Sequence, residues 1–215
     1  MLKLIIGAIC IVGLIAYGVA VASLYDSALF SLARFKAAFT GLIVGAGIWV
    51  VFGRRLNFFG IFEHELTHLV FSILMFQRPR SFYASEHRGH VSCDRGNFID
   101  GLAPYFFPTY SFFLLAIYPV LKPGAYAYFY PLLGLVTGYH IISNIGEFRP
   151  GESDIRRYGT MFSLVFCAFA GVVAAGFIFA FVIDGFPGAL RFLADGWREA
   201  AKLLLRLWTL ASNLL

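Results

Sequence analysis

The sequence predicts an all-α polytopic membrane fold with about six transmembrane helices, and three observations lead there. Of the 215 residues, 60% are hydrophobic and only 13% are charged, whereas soluble domains are about one quarter charged. Mean hydropathy is +0.77. Apolar runs long enough to cross about 30 Å of hydrocarbon at 1.5 Å per residue recur along the chain, separated by short polar breaks. The length allows one membrane domain and no sizeable soluble one. The net charge of +5 is spread through loops and the C-terminal segment. With no basic run of five or more, it suits anionic lipid headgroups, and nucleic acid is excluded as a partner. Cys10 and Cys167 fall in apolar spans and Cys93 in a loop, which makes neither a disulfide framework nor a CxxC metal site.

Residues 4–24 form the first span. Lys3 before it and Ala20-Val21-Ala22 towards its end resemble a signal peptide, but the apolar run exceeds a signal core, so a retained span is expected. Residues 37–52 form a short second span in which Gly41, Gly45 and Gly47 let a neighbouring helix approach closely. The third covers 56–76. The most polar stretch, 77–97, holds two strand-like pieces (81–84 and 90–93) around Glu86-His87-Arg88-Gly89, which predicts a small β-hairpin.

A fourth span, 99–121, is interrupted by Pro104 and Pro108. Lys122-Pro123-Gly124 turns the chain into the fifth, from 125 to about 145. In the segment 143–157, Gly146, Pro150 and Gly151 are expected to break any helix, and Ser153 to cap a new one near Asp154. The sixth span covers 158–183. After Asp184-Gly185-Phe186-Pro187-Gly188, charged residues recur every three or four positions opposite Leu and Trp, the pattern of an amphipathic interfacial helix. The expected organisation is thus a membrane domain over 1–185 and an interfacial helix over 186–215. Placing the loops that hold Arg34, Lys36, Arg78, Arg80, Arg88, Arg95, Arg149, Arg156 and Arg157 inside gives an N-out chain. The protein is then integral and multi-pass, in the cell membrane if bacterial.

The third span carries His64-Glu65-Leu66-Thr67-His68. Histidines four apart on a helix share one face, so both rings can hold one divalent metal, and the glutamate of HExxH serves as general base. Ionisable groups within an apolar span are functional by default. Zinc suits two neutral imidazoles, a carboxylate and an open position. Asp154, Asp100, His140 and Glu147 are candidates for the third ligand. His87 and His90 read as solvated loop histidines rather than ligands, and Glu63 as a carboxylate behind the site or facing a channel.

These features, in order, resemble the site-2-protease family of intramembrane zinc metallopeptidases. They are the HExxH helix, the hairpin, a span opening Gly101-Leu102-Ala103-Pro104, and Asn144 followed ten residues later by Asp154. The resemblance covers about 56–163. The chain departs from the family in having Glu152-Ser153-Asp154-Ile155 in place of Leu-Asp-Gly and no inserted peptide-binding domain. The resemblance implies one catalytic Zn²⁺ held by His64, His68 and Asp154, with Glu65 as the base. It also implies that Asn144 holds substrate or oxyanion and that the hairpin edge pairs with an unwound membrane protein or peptide substrate. Two other readings compete: a catalytically silent membrane scaffold, and a membrane zinc hydrolase acting on a lipid or lipidated substrate.

Overall fold

The computed structural model describes residues 1–30, 32–86, 88–93 and 96–213. About 82% of the chain is helical, with one small two-stranded sheet. Two compact units emerge, one of Met1–Phe35 with Met161–Leu215, the other of Lys36–Thr160.

The first unit is built from α1 (Leu2–Phe30) and α8 (Thr160–Ser212). Its packing turns on Tyr17, which sits edge-on to Phe169 and Phe192 and donates its hydroxyl to the Leu193 carbonyl (3.1 Å). A Cβ at Gly13 would run into the Phe169 ring, and one at Gly196 into Tyr17 itself. The expected break after 183 is real. Asp184 (φ −141°) and Gly185 (φ 62°) leave helical geometry, and Pro187 has no N–H to restore the ladder. Helix resumes and runs to Ser212. Its charges pair along one side, Arg198 with Asp195 and Lys202 with Glu199 (2.7 Å each), while Leu204, Leu207 and Trp208 stand exposed.

In the second unit, α2 (Leu32–Phe52) lies against α6 (Tyr126–Glu147) through facing glycines. A Cβ at Gly41 or Gly45 would strike the carbonyls of Pro131 or Leu135; one at Gly134 or Gly138 would strike those of Ala38 or Leu42. Only hydrogen lets the two backbones come this close. Gly47, also singled out in the sequence, faces open space.

Between them in sequence runs α3 (Asn57–Leu74), which carries the HExxH motif. It ends in a Schellman-type turn without glycine: Phe76 takes a left-handed conformation (φ 56°), and the Gln77 N–H reaches the Ser72 carbonyl (2.8 Å). The chain then enters the hairpin, β1 (Pro79–Ala84) antiparallel to β2 (Gly89–Cys93), with Phe82 opposite Val91. The two strand-like pieces read in the sequence are therefore the strands of the hairpin.

The segment expected as one span bends by 87° between α4 (Phe98–Leu102, extended by a 3₁₀ turn to Tyr105) and α5 (Thr109–Ile117). The bend lies at the expected prolines, since Pro108 supplies no N–H and pushes Phe107 away from helical geometry. In the following segment the helix break holds at Pro150 and Gly151, which lie between α6 and α7 (Ser153–Tyr158), but two details differ. α6 continues through Gly146 to Glu147, because a helical glycine costs only about 1 kcal/mol. Ser153 is the first residue of α7 rather than its cap. That position falls to the extended Glu152, with no side-chain hydrogen bond.

Among the described residues, three helices are long and apolar enough to cross a membrane: α1 through Leu2–Tyr25, α2 and α8. A fourth crossing results if the bent pair counts as one span. The helices taken from sequence as the third and fifth spans, α3 and α6, are not among them. Their length suffices, at 18 and 22 residues, but buried polar side chains interrupt their apolar character: Glu63, Glu65 and Thr67 on α3, Thr137, His140 and Ser143 on α6.

Candidate metal centre

The helical spacing of His64 and His68 stacks the two rings edge to face, with centroids 5.0 Å apart. Both turn Nε2 towards one oxygen. Asp154 Oδ2, delivered by α7, lies 3.7 Å from His64 Nε2 and 3.6 Å from His68 Nε2. These separations are too long for good hydrogen bonds, which fall at about 2.7–3.2 Å. They are close to the roughly 3.4 Å between two ligand atoms that share a tetrahedral zinc at about 2.0–2.1 Å. All three ligand atoms lie within 4.8 Å of one another, and no other trio of His, Cys, Asp or Glu among the described residues is so placed.

The other ring nitrogens fit the same arrangement. His64 Nδ1 is 3.2 Å from Glu147 Oε2, and His68 Nδ1 is 3.0 Å from the Asp100 carbonyl oxygen. Each acceptor takes an Nδ1–H, which fixes the tautomer and leaves the Nε2 lone pair facing Asp154. The Tyr105 ring stands edge-on to His64 (5.4 Å) and limits its rotation.

Glu65 is buried and opens onto the same cleft. Its carboxylate lies under β2, where a Cβ on Gly89 would collide with it. The hairpin is thus a cover held close to the Glu65 carboxylate, and glycine is what permits the approach. The cleft has a volume of about 380 Å³ and a mainly polar lining that includes Glu65, His90, Asp100, Asp154 and Arg157.

The remaining candidates are sorted by contact. Asp100 stays out of the ligand trio; its carboxylate accepts from Ser72 Oγ (3.2 Å), while its carbonyl holds His68. Glu147 lies behind His64 rather than at the shared point. His140 faces away from the trio towards Glu63, with Nδ1 3.4 Å from Oε2. Glu63 Oε1 in turn accepts the Tyr110 N–H (3.2 Å) at the start of α5, where a carboxylate complements the helix dipole. Asn144 does not line the cleft; its amide nitrogen sits 2.8 Å from His140 Nε2. His90 lines the cleft, and His87 lies outside the described residues.

Sequence reasoning named Glu147 and Asp100 only as possible ligands and missed their contacts with Nδ1. The available signal was general: a ligating imidazole needs an acceptor on its other nitrogen. The chain matches no protein-family model, no curated protein and no solved structure.

Proposed function

We propose that the chain is an intramembrane zinc metallopeptidase of the site-2-protease kind, multi-pass, and cleaving a peptide bond of a membrane-embedded substrate. One observation carries the reading: His64, His68 and Asp154 converge from two distant segments on a common point, with Glu65 beside it. The donor set of two imidazoles and one carboxylate is a common catalytic zinc set, and both imidazoles have the outer hydrogen bonds that such ligands need. When bound there, zinc supplies a Lewis acid that acidifies water and polarises the scissile carbonyl.

The chain's own residues do the rest. Glu147 and the Asp100 carbonyl keep the two imidazoles oriented. The Glu65 carboxylate takes the proton of the attacking water and returns it to the nitrogen of the leaving amine. The cleft wall at Gly89 to Ser92 screens Glu65 on one side. The polar lining beside Ser153 to Tyr158 gives water and an extended peptide a way in. A helical peptide bond is shielded by its own hydrogen bonds, so the substrate has to unwind before it reaches this wall.

The test is a comparison of parent and Glu65→Gln proteins purified in detergent. Zinc is measured per chain, and products are identified by mass spectrometry from co-expressed single-span membrane proteins. The expected result is stoichiometric zinc in both, with cleavage in the variant lowered by about 10²–10⁴-fold, the usual worth of a general base. A parent without stoichiometric zinc points to a scaffold, and a variant that cuts as well as the parent removes Glu65 from the chemistry. Lipid products in place of peptides reassign the substrate.

A further inference from the structure

The cleft at His64, His68 and Asp154 also holds an arginine that has not been given a role. Arg157 follows Asp154 by three residues on α7, so the two side chains leave neighbouring positions on one helix face, and both line the cleft. The segment that presents it is fixed. Tyr158 donates its hydroxyl to the Asn97 carbonyl (2.8 Å), and its ring lies where a Cβ on Gly101 would stand. The guanidinium passes beside Gly96, 3.4 Å from the place of an added Cβ.

Arg157 has no ion-pair partner among the described residues; its contact is with the face of its own neighbour, Tyr158, 5.6 Å from the ring centroid. Of the carboxylates that line the cleft, Asp154 faces the two imidazoles, Asp100 accepts from Ser72, and Glu65 lies under β2 at Gly89. Among the described residues no anion is paired with the five donors of this rigid fork, which stands at the polar cleft.

We propose that Arg157 is a specificity-determining residue that holds a carboxylate of the substrate beside the bond to be cut. The inference rests on the peptidase reading and narrows it to a substrate class. Helix positions three apart place their Cβ atoms about 5–6 Å from each other, and an extended peptide advances about 3.3 Å per residue. The carboxylate therefore belongs one or two residues from the scissile bond. An acidic side chain and a free C-terminus present the same chemistry, and a fork matched to a carboxylate takes either one bidentately.

The experiment measures binding first, with Glu65→Gln protein in detergent and fluorescent apolar peptides of one sequence. Glu is compared with Gln at the chosen position, and a free C-terminus with an amide. A carboxylate in either place should tighten binding about tenfold, the low end for a charge-assisted pair at a partly open site. A preference seen only for Glu assigns the site to an acidic side chain, and one seen only for the free acid assigns it to the chain terminus. Arg157→Met should abolish the preference, Arg157→Lys should keep part of it, and Arg157→Glu should turn it towards a peptide bearing Lys. A purely structural arginine would not reverse charge preference.

Equal carboxylate preference in the Arg157→Met and parent proteins overturns the proposal. The two readings also fail separately. If the protein with Glu65 intact cleaves none of these peptides while the binding preference holds, the peptidase reading falls and the carboxylate site stands. If it cleaves acid and amide peptides with equal kcat/KM, the carboxylate site falls and the peptidase reading stands.

Discussion

Replacing Glu147 tests whether α6 takes part in building the metal site. Its Oε2 accepts from His64 Nδ1 at 3.2 Å, across a gap in sequence that no local helix geometry bridges. A carboxylate in that position fixes the imidazole tautomer and raises the basicity of Nε2. Losing such a partner typically costs 10–100-fold in metal affinity, equivalent to about 1.4–2.8 kcal/mol at 1.4 kcal/mol per decade. The Glu147 side chain is 35% exposed, so water can take over part of its role, and the low end applies. Glu147→Ala should weaken zinc binding about tenfold, and Glu147→Gln, whose amide oxygen still accepts, by less. The assay is a competition titration against a chromophoric chelator with protein purified in detergent. Asp154→Ala, which removes a ligand rather than its support, should weaken binding far more than either. If Glu147→Ala holds zinc as tightly as the parent, His64 is oriented without α6 and the account of its tautomer is wrong.

Two further substitutions probe how the backbone is brought to the site. Gly89→Val should push the Glu65 carboxylate from its place under β2 and lower kcat while zinc content stays stoichiometric; full activity would show that the hairpin does not confine the base. Gly138→Ala should lower stability by about 1–3 kcal/mol, as overpacking does. Its Cβ would meet the Leu42 backbone carbonyl, which cannot turn aside as a side chain can. Gly47→Ala, facing open space, serves as the control in thermal unfolding, and equal losses in both would remove the α2–α6 approach as the cause.

The parts of the site that are local in sequence were legible, and those made by meetings between elements were not. His64, Glu65 and His68 could be read from one turn of helix, and the hairpin from two strand-like pieces around a polar turn. Asp154 came through resemblance alone, since spacing left it equal to Asp100, His140 and Glu147. Those three are told apart only by which atom faces which: the His68 imidazole and the Ser72 hydroxyl claim Asp100, a carboxylate claims His140, and the His64 Nδ1 claims Glu147. Span counting missed for a related reason. Helices α3 and α6 look apolar by length and residue run, yet the polar residues they bury belong to an interior that the helices share.

Why the motif helix should carry so many polar groups follows from where each one goes. Glu63 is directed to the start of α5 and to His140 on α6, and Thr67 bonds back to the Glu63 carbonyl (2.7 Å) and to the Thr109 hydroxyl. His64 reaches Glu147 on α6 and His68 the backbone of α4, while Glu65 lies under β2. A buried carboxylate without partners would cost several kcal/mol, so α3 cannot rotate or slide without exposing or orphaning several of these groups together. The same contacts require α6 to hold one position, and the glycines that press it against α2 supply that constraint. The two histidine Nε2 atoms are thereby aimed at one point by the packing around them, the kind of support that a preorganised site requires.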